Sequence, residues 1–377
     1  MTFQIGDLFG PELKFDGPTH VIWKGQRLLY LAGTDYHRLS FEPEVQQAVQ
    51  STLKHQGLSS GGSRFTTGNN RLLTELEDAL ANFLNVETTV IVGSGYLTNL
   101  IVLQALREEI QVVLADDQAH ASLLDAVRAV NLPITFFTHG NPDDLKNKLS
   151  QAGSSPKVLV VTDGVFAARG EIAPLKEYWE LTTQFGARLL IDDAHGLAVL
   201  GQQGKGSWER AGIPLENVYI TSTLSKGFGV FGGVILADQA FKGKIARNSA
   251  ALMGHTPMPV PVIAGAAASV RWLTHHRDRI GLLQQRSLQI KEQLEGMGIA
   301  LPQGEMPVIS IAFGNSEEQE KFARHCLAHH IFPPFNTYPG APAGGHFRFV
   351  VTSRHLESDI HTWLKVVTTF FQSVVFE

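Results

Sequence analysis

The sequence predicts an α/β protein with a mostly parallel central sheet, helices on both faces and a smaller C-terminal α/β domain. Three observations carry this. Seven short, β-branched apolar runs lie between residues 88 and 236; helical or loop stretches mostly separate them; and the texture turns helical after Pro257. The composition agrees, because 377 residues at 44% hydrophobic and 18% charged suffice for one large domain and a smaller one.

Taken in order, Glu44–His55 reads as a helix, with Pro43 near its first turn and Gly57 just past its end. Leu72, Leu73, Leu76, Leu80, Phe83 and Leu84 repeat at helical spacing. The expected strands are Thr88–Val92, Val112–Leu114, Ile134–Phe137, Lys157–Val161, Arg188–Ile191, Val218–Ile220 and Val234–Leu236, with a helix at Leu97–Leu106 after the first. A long helical stretch follows from Val262 to Met297, broken near His275. Two later strands, Val308–Phe313 and Phe347–Val351, flank the helix Glu317–His329, and Ser358–Val375 is a final helix. The expected division is an N-terminal segment, 1–45, packing with the small domain; a large domain, 46–256; and a small C-terminal domain, 257–377.

A net charge of −5 argues against a broad nucleic-acid surface. One cysteine, Cys326, forms no intrachain disulfide and fits a reducing compartment. The first residues lack the basic and apolar regions of a signal peptide, and no apolar stretch approaches the ~20 residues of a membrane helix. The expectation is a cytoplasmic protein with no nucleic-acid or membrane partner.

Several motif-like strings fail on context. Gly227-Phe-Gly-Val-Phe-Gly232 fits G-x-G-x-x-G but does not join a first strand to a helix. Gly201-Gln-Gln-Gly-Lys-Gly-Ser207 lacks the hydroxyl residue directly after its lysine and reads as a surface turn. Asp192-Asp-Ala-His195 has no second ligand cluster at metal spacing, so no metal is expected. The pairs His275-His276 and His329-His330 are expected in solvent on helical segments.

Three features remain. The strand Arg188–Ile191 ends in Asp192, and ligands of open α/β sheets sit at the carboxyl ends of strands. A carboxylate there can hold a cationic ring nitrogen, while His195 reaches a neighbouring substituent. Thr221-Ser-Thr-Leu-Ser-Lys226-Gly follows another strand, and a lysine among small hydroxyls can form a Schiff base beside a phosphate. Gly93-Ser-Gly95-Tyr96 opens a helix whose free N–H groups can bind phosphate. Together they describe a site for pyridoxal 5'-phosphate.

The chain also resembles a family. Ser59-Ser-Gly-Gly-Ser-Arg64, Asp116 through His120-Ala-Ser122, Thr162-Asp-Gly-Val-Phe166, Asp192-Asp-Ala-His-Gly196 and Thr223-Leu-Ser-Lys-Gly-Phe-Gly229 are similar to the α-oxoamine synthases. These are fold-type-I pyridoxal-phosphate transferases that condense an amino acid with an acyl thioester and lose CO2. The resemblance runs from about Leu31 to the C-terminus. It implies that Lys226 carries the cofactor and exchanges protons at the substrate α-carbon, that Asp192 pairs with the ring nitrogen, that His195 contacts the ring hydroxyl and that His120 stacks on the ring. It places Ser94, Gly95, Tyr96 and Thr223 on the phosphate side, Asp163 beside the cofactor, and Arg348 on the substrate carboxylate. Thr256 matches the residue that reaches the phosphate from the partner subunit, which implies a homodimer with shared active sites.

The chain departs from the family on the substrate side. Thr34 stands where the family has asparagine before its Tyr-Leu-Gly run, Ala167 where it has serine, and Leu73 where it has histidine. The resemblance implies that Thr34 and Ala167 fall among residues that touch the substrate, free or joined to the cofactor. The expected partners are an amino acid and an acyl-CoA or acyl-carrier protein, their identities left open. An aminotransferase, a lyase, or a non-catalytic protein that keeps the fold remain as alternatives.

Overall fold

The computed structural model describes residues 10–153, 155 and 157–375. The chain begins with a meander of β1 (Lys14–Phe15), β2 (His20–Trp23) and β3 (Gln26–Leu29), followed by α1 (Pro43–Gln56) and α2 (Arg71–Leu84). Then come β4 (Thr88–Val92), α3 (Gly95–Leu106), β5 (Val112–Asp116), α4 (Ala121–Ala129), β6 (Ile134–Phe137), α5 (Pro142–Ala152) and β7 (Val158–Asp163). A short hairpin, β8 (Val165–Phe166) and β9 (Glu171–Ile172), precedes α6 (Leu175–Gln184), β10 (Arg188–Asp192), α7 (Ser207–Ala211), β11 (Val218–Thr223) and β12 (Gly233–Ala237). Helices α8 (Gln239–Asn248), α9 (Ala250–Gly254), α10 (Val260–His275) and α11 (Asp278–Glu295) lead to β13 (Val308–Ile311), α12 (Ser316–Ala328), β14 (Phe335–Asn336), β15 (His346–Val350) and α13 (Glu357–Val375).

The central sheet has seven strands in the order β4-β12-β11-β10-β7-β5-β6. Only β12 runs antiparallel to its neighbours. Every residue of β7 is buried, as is all of β10 after Arg188. Such strands need cover on both faces, and alternate side chains enter two separate cores. Val160, Leu189 and Ile191 pack into one; Leu159, Val161 and Leu190 pack into the other. The mostly parallel sheet matches the expectation, with several strands one or two residues longer than the apolar runs.

The long helical stretch breaks where expected, between α10 and α11. Helix α10 carries Gly265-Ala-Ala-Ala-Ser269 because α1 lies against it: a Cβ on Gly265 would stand 2.7 Å from Val49. The C-terminal sheet, β13-β15-β14, is antiparallel, and its apolar residues share a core with α12 and α13. The N-terminal segment extends it: the Leu29 N–H donates to the His330 carbonyl, the Phe332 N–H to Leu29, and the Val350 N–H to Leu31. Nothing in the apolar pattern marked β1–β3, because these strands are short and partly exposed.

Two local expectations are corrected. His276 is not a solvated helix residue: its ring stacks on Trp272 at 4.0 Å. The 201–207 turn is partly buried, with Gly201, Gly204, Gly206 and Ser207 enclosed, and it closes around Glu209, which accepts from the Gln203 and Lys205 N–H groups. Among the described residues no helix is long and apolar enough to cross a membrane.

Two ionic clusters fix the parts of this frame that flank the sheet's carboxyl edge. Buried Glu77 on α2 takes a forked contact from Arg64, the Lys242 ammonium at 2.8 Å and the Ile91 N–H at 3.1 Å. Burial alone would raise its pKa, but the two cations hold it below the usual range. The second cluster clamps the β8–β9 hairpin. His139 contacts Asp116 at the end of β5 (2.9 Å) and Glu171 on β9 (3.3 Å). Burial opposes its charge, yet the two carboxylates outweigh it and lift the ring to about 9. A pKa raised above the ordinary 6.5 contributes stability that is complete below about pH 6.5 and is lost as pH rises through 9. We expect His139→Gln to destabilise the protein by on the order of 1–2 kcal/mol at pH 7, after discounting for partial solvent screening, with the deficit vanishing by pH 10. Thermal unfolding of both proteins across that range measures this, and a deficit independent of pH contradicts the ionic clamp.

Candidate active site

Because six of the seven strands point the same way, their carboxyl ends lie along one edge of the sheet. That edge collects Ser94 and Gly95 after β4, Asp116 closing β5, Asp163 closing β7, Asp192 closing β10 and Thr223 closing β11, with Lys226 three residues beyond. Asp163 and Asp192 are direct partners in register.

A cavity of about 400 Å³ opens here, lined by Thr34, His120, Ala167, Ala168, His195, Lys226, Asn336, Tyr338 and Arg348. Its residues come from seven separate stretches of chain. Lys226 is held by the tight loop between β11 and β12: the Gly229 N–H donates to the Lys226 carbonyl, and Gly229 (φ 64°) sits so near Asp35 that a Cβ would be 2.6 Å from its carboxylate. Arg348 projects from β15, its Nε–H donating to the Ala167 carbonyl at 2.8 Å. Its Nη2 is buried without a partner among the described residues. An unsatisfied guanidinium nitrogen in a cavity wall invites an anion with oxygens in a plane.

Asp192 is oriented from beneath. Asn99 donates to its Oδ2 at 2.7 Å, the Ala194 N–H donates to Oδ1 at 3.1 Å, and Ser122 Oγ lies 3.4 Å from Oδ2. Asn99 is in turn held by the Thr221 hydroxyl at 2.6 Å. The same Ser122 Oγ meets His120 Nδ1 at 2.8 Å, so the histidine and the carboxylate share one hydroxyl. His120 also contacts the Tyr338 hydroxyl through Nε2 at 2.9 Å, and its N–H donates to Asp163. Along the same edge of the sheet, Gly95 lets α3 start against Thr223; a Cβ there would lie 2.6 Å from the Thr223 Cβ. Ser94 caps the helix by accepting from the Tyr96 N–H.

The electrostatics follow from crowding charges in a place with little water. Burial lowers Lys226 to about 8, even though Asp192 and Asp163 pull it upward. Burial, with Asp192 beside it, raises Asp163 well above the usual carboxyl range. Burial and the nearby Lys226 push His195 far down, which leaves its ring neutral.

The arrangement fits the cofactor expected from sequence. It offers a lysine with a low pKa, a buried carboxylate at a strand end, a neutral histidine, and a helix N-terminus closed on hydroxyls. The cavity wall itself gathers Thr34, His120, His195, Lys226 and Arg348 from the predicted set. Asp163 and Asp192 lie directly behind it through the contacts to His120 and Ser122, and Ser94, Gly95 and Thr223 form the helix-start corner. Tyr96 lies mostly outward, bonded to Asp125. Thr256 is not brought into the cavity; it is exposed, with its carbonyl near Gly93. Sequence reasoning missed Asn99, Asn336 and Tyr338 and gave no role to Tyr36. Asn99 did leave a signal, as an amide within the apolar helix Leu97–Leu106. Tyr338 left none, since it sits in a Pro/Gly-rich loop without periodicity.

Comparison with known proteins gives a consistent picture. Residues 28–366 match the family model for aminotransferase class I and II. The 8-amino-7-oxononanoate synthase 2 of Bacillus subtilis (strain 168) is 30% identical over 93% of this chain and 88% of its own length. The 8-amino-7-oxononanoate synthase of Lysinibacillus sphaericus is 29% identical over 89% of this chain and 87% of its own. Among solved structures, a serine palmitoyltransferase variant from S. paucimobilis with a bound PLP–myriocin aldimine has a TM-score of 0.89 at 25% identity, covering 97% of this chain and 92% of that one.

The depressed lysine is directly measurable. In cofactor-free protein, acylation of Lys226 followed by mass spectrometry should rise with a midpoint near pH 8, well below the surface lysines. Since Asp192 pulls this amine upward, Asp192→Asn should move the midpoint lower. An upward move, or a midpoint near 10, contradicts the electrostatic account.

Proposed function

The chain belongs to the aminotransferase class I and II family, and within it to the α-oxoamine synthases; from that premise we propose that it is a pyridoxal-phosphate-dependent acyltransferase of the 8-amino-7-oxononanoate synthase type. The reaction joins the α-carbon of an amino acid to the carbonyl of an acyl thioester, expels the thiol and releases the carboxyl group as CO2, giving an aminoketone. One observation carries the reading: Lys226, His120, His195 and a part-unsatisfied Arg348 share a single cavity at the carboxyl edge of the sheet.

Pyridoxal phosphate, when bound, supplies an electron sink for the charge that develops at the substrate α-carbon. Lys226 would hold the cofactor covalently and, once displaced by the amino acid's own nitrogen, would be the amine that takes a proton from that carbon, burial having lowered its pKa to about 8. Asp192, fixed by Asn99 and the Ala194 N–H, would hold the proton on the ring nitrogen. His120 would cover the ring face, with Asp163 beside it. His195 would serve the ring hydroxyl. Ser94, the Gly95 N–H, Tyr96 and Thr223 would receive the phosphate. Arg348, anchored through Nε, presents its terminal nitrogens to the amino-acid carboxylate, while Thr34, Ala167 and Ala168 shape the space for the amino-acid side chain and the acyl group.

The proposal includes a homodimer in which Thr256 of each chain serves its neighbour's phosphate; its exposure beside Gly93 leaves it available to a partner. The protein is read as cytoplasmic, which suits a free, buried Cys326.

The purified protein should take up pyridoxal phosphate, and borohydride reduction should leave the adduct on Lys226. Free CoA should appear only when an amino acid and an acyl-CoA are present together. An adduct elsewhere sinks the cofactor assignment, whereas amino-acid turnover without acyl-CoA favours an aminotransferase or a lyase. Arg348→Ala should weaken amino-acid binding roughly 30-fold or more, the cost of removing a buried charge-assisted partner being on the order of 2–5 kcal/mol. Arg348→Lys should also be impaired, because an ammonium does not reproduce the planar fork. Both variants should still take up cofactor. Unchanged amino-acid affinity in Arg348→Ala, read from the spectral shift on binding, assigns the arginine another task.

A further inference from the structure

Tyr36 is fully buried, and its hydroxyl lies 2.7 Å from Nδ1 of His195. The residue is fixed on both sides. Its carbonyl accepts from the Ser353 N–H at 3.0 Å, and the next residue, His37, is pinned between the Ala198 carbonyl and Ser353. The Arg348 guanidinium faces the same hydroxyl. Tyr36 therefore stands between the histidine and the arginine of the cavity, touching a residue assigned to the cofactor and adjoining one assigned to the substrate.

We propose that Tyr36 is a positioning residue that sets the tautomer of His195, fixing its proton on Nε2, and links that histidine to Arg348. The inference rests on the function proposed above for its catalytic consequence, but not for the tautomer itself. A guanidinium has donors and no acceptor, so on that side the phenol oxygen can only accept. The single phenolic proton is then left for His195, and Nδ1, as the acceptor, carries no proton of its own. The ring is neutral, since burial and three cationic or ionisable groups around it, Lys226 after β11, Arg348 on β15 and His120 at the start of α4, all disfavour charge. A neutral imidazole with a bare Nδ1 has its hydrogen on Nε2. His195 is thus a donor from the ring atom remote from Tyr36, suited to the oxygen anion of a ring hydroxyl. A carboxylate arriving on Arg348 offsets the charge that faces the Tyr36 oxygen, so substrate binding is felt at His195.

Two measurements test this. In wild-type protein without cofactor, nitrogen NMR of the His195 ring, assigned by its loss in His195→Gln, should show an unprotonated Nδ1 and a protonated Nε2. The reverse tautomer, or a charged ring at pH 7, overturns the proposal, and this readout needs neither bound cofactor nor a Tyr36 variant that folds. In the loaded protein, Tyr36→Phe keeps the ring but removes the hydroxyl. The variant should retain cofactor, while the pH midpoint of the Lys226–cofactor absorbance change moves up by about half a unit or more, because the ring oxygen loses a fixed donor and the linkage proton is held harder. Amino-acid affinity should fall several-fold. Wild-type values for both would reduce Tyr36 to a packing residue. A wild-type protein that takes up no cofactor overturns the proposed function instead, and the NMR result stands apart from it.

Discussion

The direction of the central strands is the constraint on which everything else depends. A sheet buried on both faces must return its chain over one face or the other after each parallel strand, so successive carboxyl ends meet along a single edge. Residues placed just beyond apolar runs become neighbours without being near in sequence. Asp163 and Asp192 stand side by side because β7 and β10 are paired in register, not because any local signal joins them. The helix that follows β4 begins at the same edge, so its N-terminus faces Thr223 at the end of β11.

That geometry brings with it an electrostatic problem. Two carboxyl groups, a lysine, an arginine and two histidines meet where water is scarce, and the chain settles it by neutralisation more than by pairing. Burial pushes Asp163 up and His195 down, each toward its neutral form, and brings Lys226 down to about 8. Asp192 keeps three polar neighbours, Asn99, Ser122 and the Ala194 N–H, while Arg348 retains one nitrogen with no partner among the described residues. The groups left with unmet demand are those that a charged ligand would satisfy, a pattern more characteristic of binding sites than of folding cores.

The strands, the long helices and the polar residues at the sheet's carboxyl edge were legible because each has a local cause. Unbroken apolar runs such as Val158–Val161 announce strands covered on both faces, and Asp192 immediately after one, or Lys226 in the loop just beyond another, announces an edge position. The N-terminal meander was not, since its stability comes from hydrogen bonds to residues some 300 positions away, around Ile331. Tyr338 and Asn336 reach the cavity through an irregular loop whose path depends on His346, which holds Asn336 at 2.9 Å. Tyr36 lies two residues beyond Thr34, which was expected on the substrate side, but its partner is His195, and a contact across that separation has no trace in a single sequence.

The pairing of the chain's beginning with its end also bears on the order of assembly. During synthesis, residues 29–31 emerge long before the segment 330–350 against which they hydrogen-bond. Strands β4 to β12 can associate in the meantime, whereas residues 20–40, with Leu28, Tyr30 and Leu31 destined for burial, have no finished surface to join. Their docking belongs to the final stage of folding, when the loop closed is almost the whole polypeptide and its entropic cost is greatest. The same late event carries Tyr36 to His195. Completion of the cavity is thereby postponed until β15 has been made, and a truncated product lacking β15 would keep the carboxyl edge of the sheet without Arg348.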